Sequence, residues 1–294
     1  SHKADPSLLP SSPDSLADTT RAYITCYAPA SAQHLATVPA LDGDEVRERV
    51  RKAVHAQRAW RSSSWVRRRR VLRSLLEWTV DHAEALSKVA SRDSGKTLVD
   101  AAFGEILTTC EKLRWLVANA EQALKPDYRP TNLLLAHKVS KVVYEPLGVV
   151  AALVSWNYPL HNLLGPIVAA LAAGDAIVVK PSEQVAWSSL IFVEAVRDCL
   201  TACGEVRSLP PSRCVFSSPD PVAKASSRVM QDPELVQIAV TLPENVEALT
   251  GDERIKHITF VRPPASSCSA ARPSRATRAS HELTLPRSLG ADRL

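Results

Sequence analysis

The sequence lacks any apolar run of the roughly 20 residues that a membrane-spanning helix needs. The longest candidate, Leu147–Leu164, is interrupted by a proline and several polar residues. Its hydrophobic fraction of 45% is still enough for a substantial core, in one large domain or two ordinary ones. The first residue is Ser1 and the only methionine is Met230, so we expect missing sequence or a processed end before Ser1. Any membrane anchor or targeting segment would lie there.

The six cysteines include no Cys-x-x-Cys pair, and no secretory leader is seen. This usage predicts a reduced, intracellular setting, either cytoplasmic or membrane-associated. Cys199 and Cys203 are four positions apart on a predicted helix, but no histidine or second cysteine pair accompanies them. We therefore predict buried thiols here, and no metal site.

Most of the chain carries almost no excess of positive over negative charge. Residues 262–294 contain six arginines and two acids, which account for +4 of the net charge of +5. The run WVRRRR, residues 65–70, could be a phosphate-binding patch or the solvated side of an amphipathic helix with Trp65 packed inward. The run is short and has no aromatic platform, which favours the helix. We predict no nucleic-acid partner.

A complete phosphate-binding loop is also missing. Ser94–Thr97 reads SGKT, but the position five residues before the Gly-Lys pair, where the loop needs glycine, is Ala90. The turn is also predicted to join two helices, whereas a phosphate-binding loop follows a strand. We exclude nucleoside-triphosphate hydrolysis.

The order of predicted elements indicates an α/β fold. Residues 1–19 are predicted to be a disordered tail. We then expect an edge hairpin at 21–39 and three helices at 42–60, 64–90 and 98–124. A second hairpin at about 130–145 precedes a strand–helix–strand unit, with strands at 149–154 and 175–179 and the helix at 160–173. Helices followed by alternating strands and helices are typical of a parallel sheet.

Polar residues follow both strands of the central unit, at the edge where open α/β sheets bind ligands. Asn157 stands at the end of the first strand, where its amide could donate to an oxygen gaining negative charge or could simply cap the next helix. Lys180 and Glu183 follow the second strand and could bind the vicinal hydroxyls of a ribose or form an ordinary surface pair. The residues alone leave these alternatives open.

Two motifs resemble the aldehyde dehydrogenase superfamily. They are SWNYP at 155–159 and GDAIVVKPSE at 174–183, separated by one helix as in that family. CYAPAS, RRRVLRSLLE, RDSGKT and YEPLGVVA add further matches between Tyr23 and Phe260. TTCEKLRW and DPELVQIAVTLPE are closest to the plant and fungal membrane-associated subgroup. The resemblance implies N-terminal helices, a Rossmann-like parallel sheet with a small oligomerisation hairpin, and a missing catalytic domain.

The resemblance also implies roles for single residues. Asn157 would be an oxyanion-hole donor, and Ser155 and Trp156 would line the cofactor cleft. Lys180 and Glu183 would hold the adenosine ribose of NAD or NADP, with Ser182 where some members accept a 2′-phosphate. The family acts on small aldehydes, and the complete protein would form a homo-oligomer through the hairpin near 130–145.

Three departures from the family stand out. A Pro-, Ser- and Arg-rich stretch at 205–231 interrupts the domain that we assign to 20–261, and 262–294 matches nothing in the family. Arg262-Pro263-Pro264 replaces a glycine turn that approaches the cofactor phosphates. The E-L-G-G-K general-base segment and the G-Q-x-C nucleophile are both absent. Both foreign stretches begin near a Val-Arg pair, Val206-Arg207 and Val261-Arg262, which we interpret as translated intron edges. We expect both stretches to be poorly ordered.

Two functions follow from these observations. The first is an oxidoreductase that oxidises aldehydes with NAD(P)+, of which these 294 residues alone would be inactive. The second is a non-catalytic, truncated isoform that binds nucleotide or partner subunits. Aldehyde oxidation needs a thiolate nucleophile and a base to activate the deacylating water, and no residue here stands in the family's context for either role.

Overall fold

A computed structural model describes residues 21–204 and 233–260. The predicted tails at 1–19 and 262–294 and the predicted insertion at 205–231 lie outside the described residues.

The chain begins with a two-stranded antiparallel hairpin, as predicted. Strand β1 spans Tyr23–Tyr27 and β2 spans His34–Pro39. Alternate side chains of both strands are buried, and the hairpin packs against the N-terminal part of a later helix, α7, described below.

Helix α1, Gly43–Arg61, corresponds to the helix predicted at 42–60, with Asp42 as its N-cap. The Asp42 carboxylate accepts from the Glu45 amide at 2.8 Å, and the Glu45 carboxylate accepts from the Asp42 amide at 3.1 Å. This reciprocal capping box satisfies amides that have no partner within the helix. The sequence prediction is confirmed here.

The predicted single helix over 64–90 is wrong, since it is two helices. Helix α2 spans Trp65–Asp81 and α3 spans Ala83–Ser94, with a break at His82. The His82 backbone leaves helical geometry while its ring lies 2.9 Å from the Trp78 carbonyl and stacks on the Trp78 ring. The His82 amide still donates to the Trp78 carbonyl at 3.1 Å, so the break is a local change of backbone angles, which apolar spacing does not reveal.

The SGKT segment joins two helices, as predicted. Gly95 ends α3 with φ +76°, and the Thr97 hydroxyl caps α4, Leu98–Ala101. The same helix continues through a π-helical turn, Ala102–Leu107, into α5, Thr108–Ala123. A π-helical turn re-aims the side chains that follow it and is frequent at functional sites.

A second hairpin follows α5. Strands β3, Asp127–Arg129, and β4, Ser140–Val142, pair antiparallel around a 3₁₀ turn at Leu133–Leu135. The hairpin predicted at about 130–145 therefore exists, with its first strand starting at Asp127.

The central sheet has four parallel strands in the order β7-β6-β5-β8. They are β5 Val149–Leu153, β6 Ala176–Lys180, β7 Val236–Ile238 and β8 Ile255–Phe260. The connecting helices are α6 Pro159–Ala173, α7 Ala186–Gly204 and the short α8 Glu247–Thr250. The predicted α/β class is confirmed.

Helices cover both faces of this sheet. Because β–α–β crossovers are right-handed, α6 and α7 lie on one face, while α8 and its neighbour α1 lie on the other. Helices α2 and α5 pack on α6 and form an outer layer. None of the helices within 21–204 and 233–260 is long and apolar enough to cross a membrane.

The arginine run at the start of α2 contacts the C-terminal end of α6. Arg68 is buried, and its guanidinium donates to the Ala172 carbonyl at 3.2 Å and to the Arg61 carbonyl at 2.8 Å. Trp60 donates to the Leu171 carbonyl of α6, and Gln57 donates to the carbonyl of Gly174, which follows the helix. The interpretation of the run as a solvated helix face is therefore wrong for Arg68. The last carbonyls of a helix have no partner within it, and Arg68 supplies a donor to one of them at a buried helix end.

Candidate functional site

The direction of strand addition reverses at β5. From β5 the chain adds β6 and then β7 on one side, and afterwards returns to place β8 on the other side. Leu153, at the end of β5, lies opposite both Lys180 of β6 and Phe260 of β8. Open α/β sheets bind ligands outside the carboxyl ends of strands where the order reverses. Both predicted polar turns start at this edge.

The turn after β5 presents the amide of Asn157. Its Oδ1 accepts from the Ser155 hydroxyl at 2.7 Å and from the Asn162 amide at 3.1 Å. Its Nδ2 group donates to no atom of the described residues, and the side chain is exposed. The oxygen is thus held by the protein, while the two N–H bonds are available to a ligand.

Asn157 does not cap α6, which was the alternative left open by the sequence. The N-cap residue of α6 is Tyr158, without a side-chain cap. The Leu160 amide instead donates to the carboxylate of Glu105, at 2.7 Å, from the π-helical turn. Helix capping therefore does not explain why an asparagine stands at position 157.

Lys96 and Glu105 lie directly behind this turn, and sequence reasoning missed both as site residues. Lys96 Nζ donates to the Asn157 carbonyl at 2.7 Å and pairs with Glu105 at 2.5 Å. Burial raises the pKa of Glu105, although Lys96 and the α6 amides oppose the shift. The sequence signal that could have identified Glu105 as a site residue is its position on the buried face of an amphipathic helix.

The turn after β6 carries the other predicted contacts. Lys180, the last residue of β6, is buried, and its ammonium pairs with Glu183 in the next 3₁₀ turn. Ser182 precedes this turn, and its hydroxyl does not cap it. Lys180 and Glu183 thus form a fixed pair of a donor and an acceptor at the sheet edge.

Trp156 and Ser155 lie at the same edge. Trp156 is 50% exposed, which is unusual for so large a side chain. Ser155 is partly buried, and its hydroxyl both donates to Asn157 and accepts from Asn162 at 3.0 Å. The structure thus brings the six predicted site residues to one edge of the sheet.

A histidine lies one turn into α6. His161 Nδ1 is 3.2 Å from the Thr108 hydroxyl and 3.1 Å from the Thr109 hydroxyl. Burial, followed by the charge of Lys112, lowers the pKa of His161, so the ring is neutral near pH 7. It adds a polar group beside Asn157 without adding charge.

Three cysteine side chains within the described residues are reduced thiols. Cys26, Cys110 and Cys199 are buried. Burial raises the pKa of Cys26 and of Cys110, which keeps both as thiols, whereas a reactive cysteine needs its thiolate. Within the described ranges, no group of three or more His, Cys, Asp or Glu residues could hold a metal ion.

Solved structures share this architecture. An NADP-dependent enzyme of Escherichia coli aligns over 81% of this chain and 43% of its own, with a TM-score of 0.65 and 24% identity. An NADP complex of glyceraldehyde-3-phosphate dehydrogenase from Bacillus halodurans aligns over 81% and 44%, with a TM-score of 0.64 and 24% identity. At this identity the likeness establishes the fold.

Sequence comparison establishes the family. Putative aldehyde dehydrogenase-like proteins of Saccharomyces cerevisiae and Schizosaccharomyces pombe are 42% and 44% identical to the chain, over 81% of its length. The chain spans only 34% and 41% of these relatives. Residues 16–241 match the aldehyde dehydrogenase family. The chain therefore belongs to the aldehyde dehydrogenase family.

Proposed function

We propose that this chain carries the adenosine-binding half of an NAD(P) site and one oxyanion donor of an aldehyde-oxidising enzyme. The observation that carries the proposal is the meeting of two polar turns at the reversal of strand order. One follows β5 and contains Asn157, and the other follows β6 and contains Lys180 and Glu183.

The Lys180–Glu183 pair suits a ribose. Vicinal hydroxyls need a donor and an acceptor within one short span, and the ammonium and carboxylate are already paired across three positions. Both groups are largely withdrawn from water, so their hydrogen bonds to a ligand are less weakened by solvent. Ser182 lies between them and would face a 2′-phosphate, which makes NADP an acceptable alternative to NAD. Trp156 and Ser155 would line the cofactor cleft.

The unoccupied N–H bonds of Asn157 suit a developing oxyanion. When a nucleophile attacks an aldehyde, the carbonyl oxygen gains negative charge, and a fixed amide donor stabilises that charge. Because Ser155 and Asn162 already hold the amide oxygen, little reorganisation is needed. The bound cofactor would supply the hydride acceptor.

These 294 residues by themselves are proposed to bind the cofactor without turning over aldehydes. None of the six cysteines stands in a G-Q-x-C segment, and no E-L-G-G-K segment supplies a base. We expect no enzyme-dependent NADH formation with a panel of small aldehydes. Clear turnover by the chain would overturn this part of the proposal.

Isothermal titration with NAD and with NADP tests the binding. We expect saturable binding by the unaltered chain and a loss of about tenfold or more in affinity for Lys180→Met, since hydrogen bonds to charged groups contribute roughly 1.5–3 kcal/mol. The matched control is Lys88→Met, which removes a lysine from an exposed pair with Glu84 on α3. Absence of binding by the folded chain, or equal losses in both variants, would contradict the proposal. Co-purification with longer subunits in that case would favour a partner-binding isoform.

A further inference from the structure

We propose that Lys96 and Glu105 are positioning residues that fix the Asn157 turn, so that the Asn157 side-chain N–H bonds face the open edge of the sheet. The inference rests on the oxyanion role proposed above for Asn157. It goes beyond that role because it assigns the geometry of the donor to an ion pair between the α3–α4 loop and the π-helical turn, which touches no substrate.

Lys96 makes three contacts, two with the Asn157 turn and one with Glu105. Its ammonium donates to the Asn157 carbonyl at 2.7 Å, pairs with Glu105 at 2.5 Å, and lies 4.1 Å from the centre of the Tyr158 ring. The Lys96 side chain is only 12% exposed. Because the Lys96 ammonium contacts a carbonyl, a carboxylate and an aromatic ring, its side chain has little freedom to move.

Glu105 fixes the other end of the same turn. Its carboxylate is fully buried and accepts from the Leu160 amide at 2.7 Å, at the start of α6. A carboxylate is favoured at a helix N-terminus because the amides there have no partners within the helix and carry partial positive charge. One ion pair therefore holds a carbonyl before the helix and an amide within it.

The Tyr158 ring completes the arrangement. A methyl group added at Gly104 would lie 2.8 Å from the Tyr158 ring, so the glycine allows the ring to pack directly on the π-helical turn. The ring is then confined between Gly104 and Lys96. With the backbone held on both sides and Oδ1 bound by Ser155 and Asn162, the Nδ2 group of the exposed Asn157 side chain is left without a partner among the described residues.

Nitrogen-15 NMR of the side-chain amides tests the proposal in the 294-residue chain, with the Asn157 signals assigned by their loss in Asn157→Ala. In Lys96→Met we expect these signals to shift and broaden, while those of Asn119, which donates to the Trp115 carbonyl on α5, stay in place. Lys96→Arg retains a charged donor and should largely restore them. Lys88→Met is the control, since that lysine forms an exposed pair on α3.

A purely structural role predicts a different result. It would lower the melting temperature of Lys96→Met and leave the Asn157 signals unchanged below the transition, which would overturn the proposal. If Lys96→Met does not fold, Glu105→Gln and Lys96→Arg carry the test. Glu105→Gln should move the same signals, and unchanged signals in both variants would overturn it.

Cofactor titration separates this inference from the proposed function. The Lys180–Glu183 pair is untouched in Lys96→Met, so NAD(P) affinity should fall much less than in Lys180→Met. A chain that never binds NAD(P) would contradict the proposed function, whereas displaced Asn157 signals would still support the positioning role.

Discussion

Asp93 shows how a single buried carboxylate can set the pH dependence of stability. Its Oδ2 accepts from the Ser188 amide at 3.0 Å, and its Oδ1 has no hydrogen-bond partner among the described residues. Burial raises the pKa of Asp93 from 3.8 to about 6. The fold therefore favours the protonated carboxyl. This contribution to stability is complete below pH 3.8 and is lost as the pH rises through about 6.

Asp93→Asn should stabilise the chain above pH 6. The amide oxygen can still accept from Ser188, and no charge is buried, so the gain near pH 8 should be at most about 3 kcal/mol. The gain should shrink as the pH falls toward 4. Urea unfolding at several pH values measures it, with the exposed Asp81→Asn as control. A gain that is independent of pH would contradict this account.

Gly174 ends α6 in a conformation that other residues rarely adopt. Its φ is +94°, and an added methyl group would lie 2.5 Å from the Arg68 guanidinium. Gly174→Ala should cost more than about 1–2 kcal/mol, since backbone strain and a steric clash act together. Gly43→Ala, at the first position of α1 with room for the methyl group, should be near neutral. Equal urea midpoints for the two variants would show the prediction to be wrong.

At the scale of elements, neighbouring residues determined most boundaries. The Asp42 capping box and the glycine after α6 were readable from the sequence, because caps depend on residues within one turn. The break at His82 was missed, because it is a change of backbone angles at one residue and the apolar spacing continues across it. The role of Arg68 was missed too, since its carbonyl partner is 104 positions away.

Arg68→Met tests how much the capping of α6 contributes. It leaves the Ala172 carbonyl without its donor in a buried setting, which should cost roughly 1–3 kcal/mol. Arg70→Met changes the exposed arginine of the same run and should have little effect. The free energies of unfolding of the two variants, measured by urea titration, are compared. A comparable loss in Arg70→Met would point to the charge of the run as a whole.

At the scale of the whole molecule, the hairpin β3–β4 stands apart from the core. All its strand side chains face solvent except the half-buried Asp127, and Leu133 and Leu134 are 94% and 84% exposed. Exposed apolar side chains of this size mark surfaces that associate. The resemblance assigned an oligomerisation role to this hairpin, which remains a prediction.

Leu133→Ser combined with Leu134→Ser should reduce self-association of the chain. Removing the apolar turn from the hairpin should shift the mass measured by light scattering toward 32.0 kDa. Val66→Ser, on the exposed side of α2, is the control because it removes an apolar side chain that is 66% exposed elsewhere. An unchanged mass distribution in the double variant would exclude the turn as the contact.

The sequence by itself determined the family, the parallel α/β class and the two polar turns, because each depends on residues that are close along the chain. The tertiary structure alone decided how Asn157 is held. Lys96 and Glu105 reach the turn from 61 and 55 positions away, so their contact exists only after α5 packs on α6. Spacing places Asn157 at a strand end, but only the packed helices assign the capping of α6 to Glu105, which leaves the Asn157 side-chain oxygen to Ser155 and Asn162.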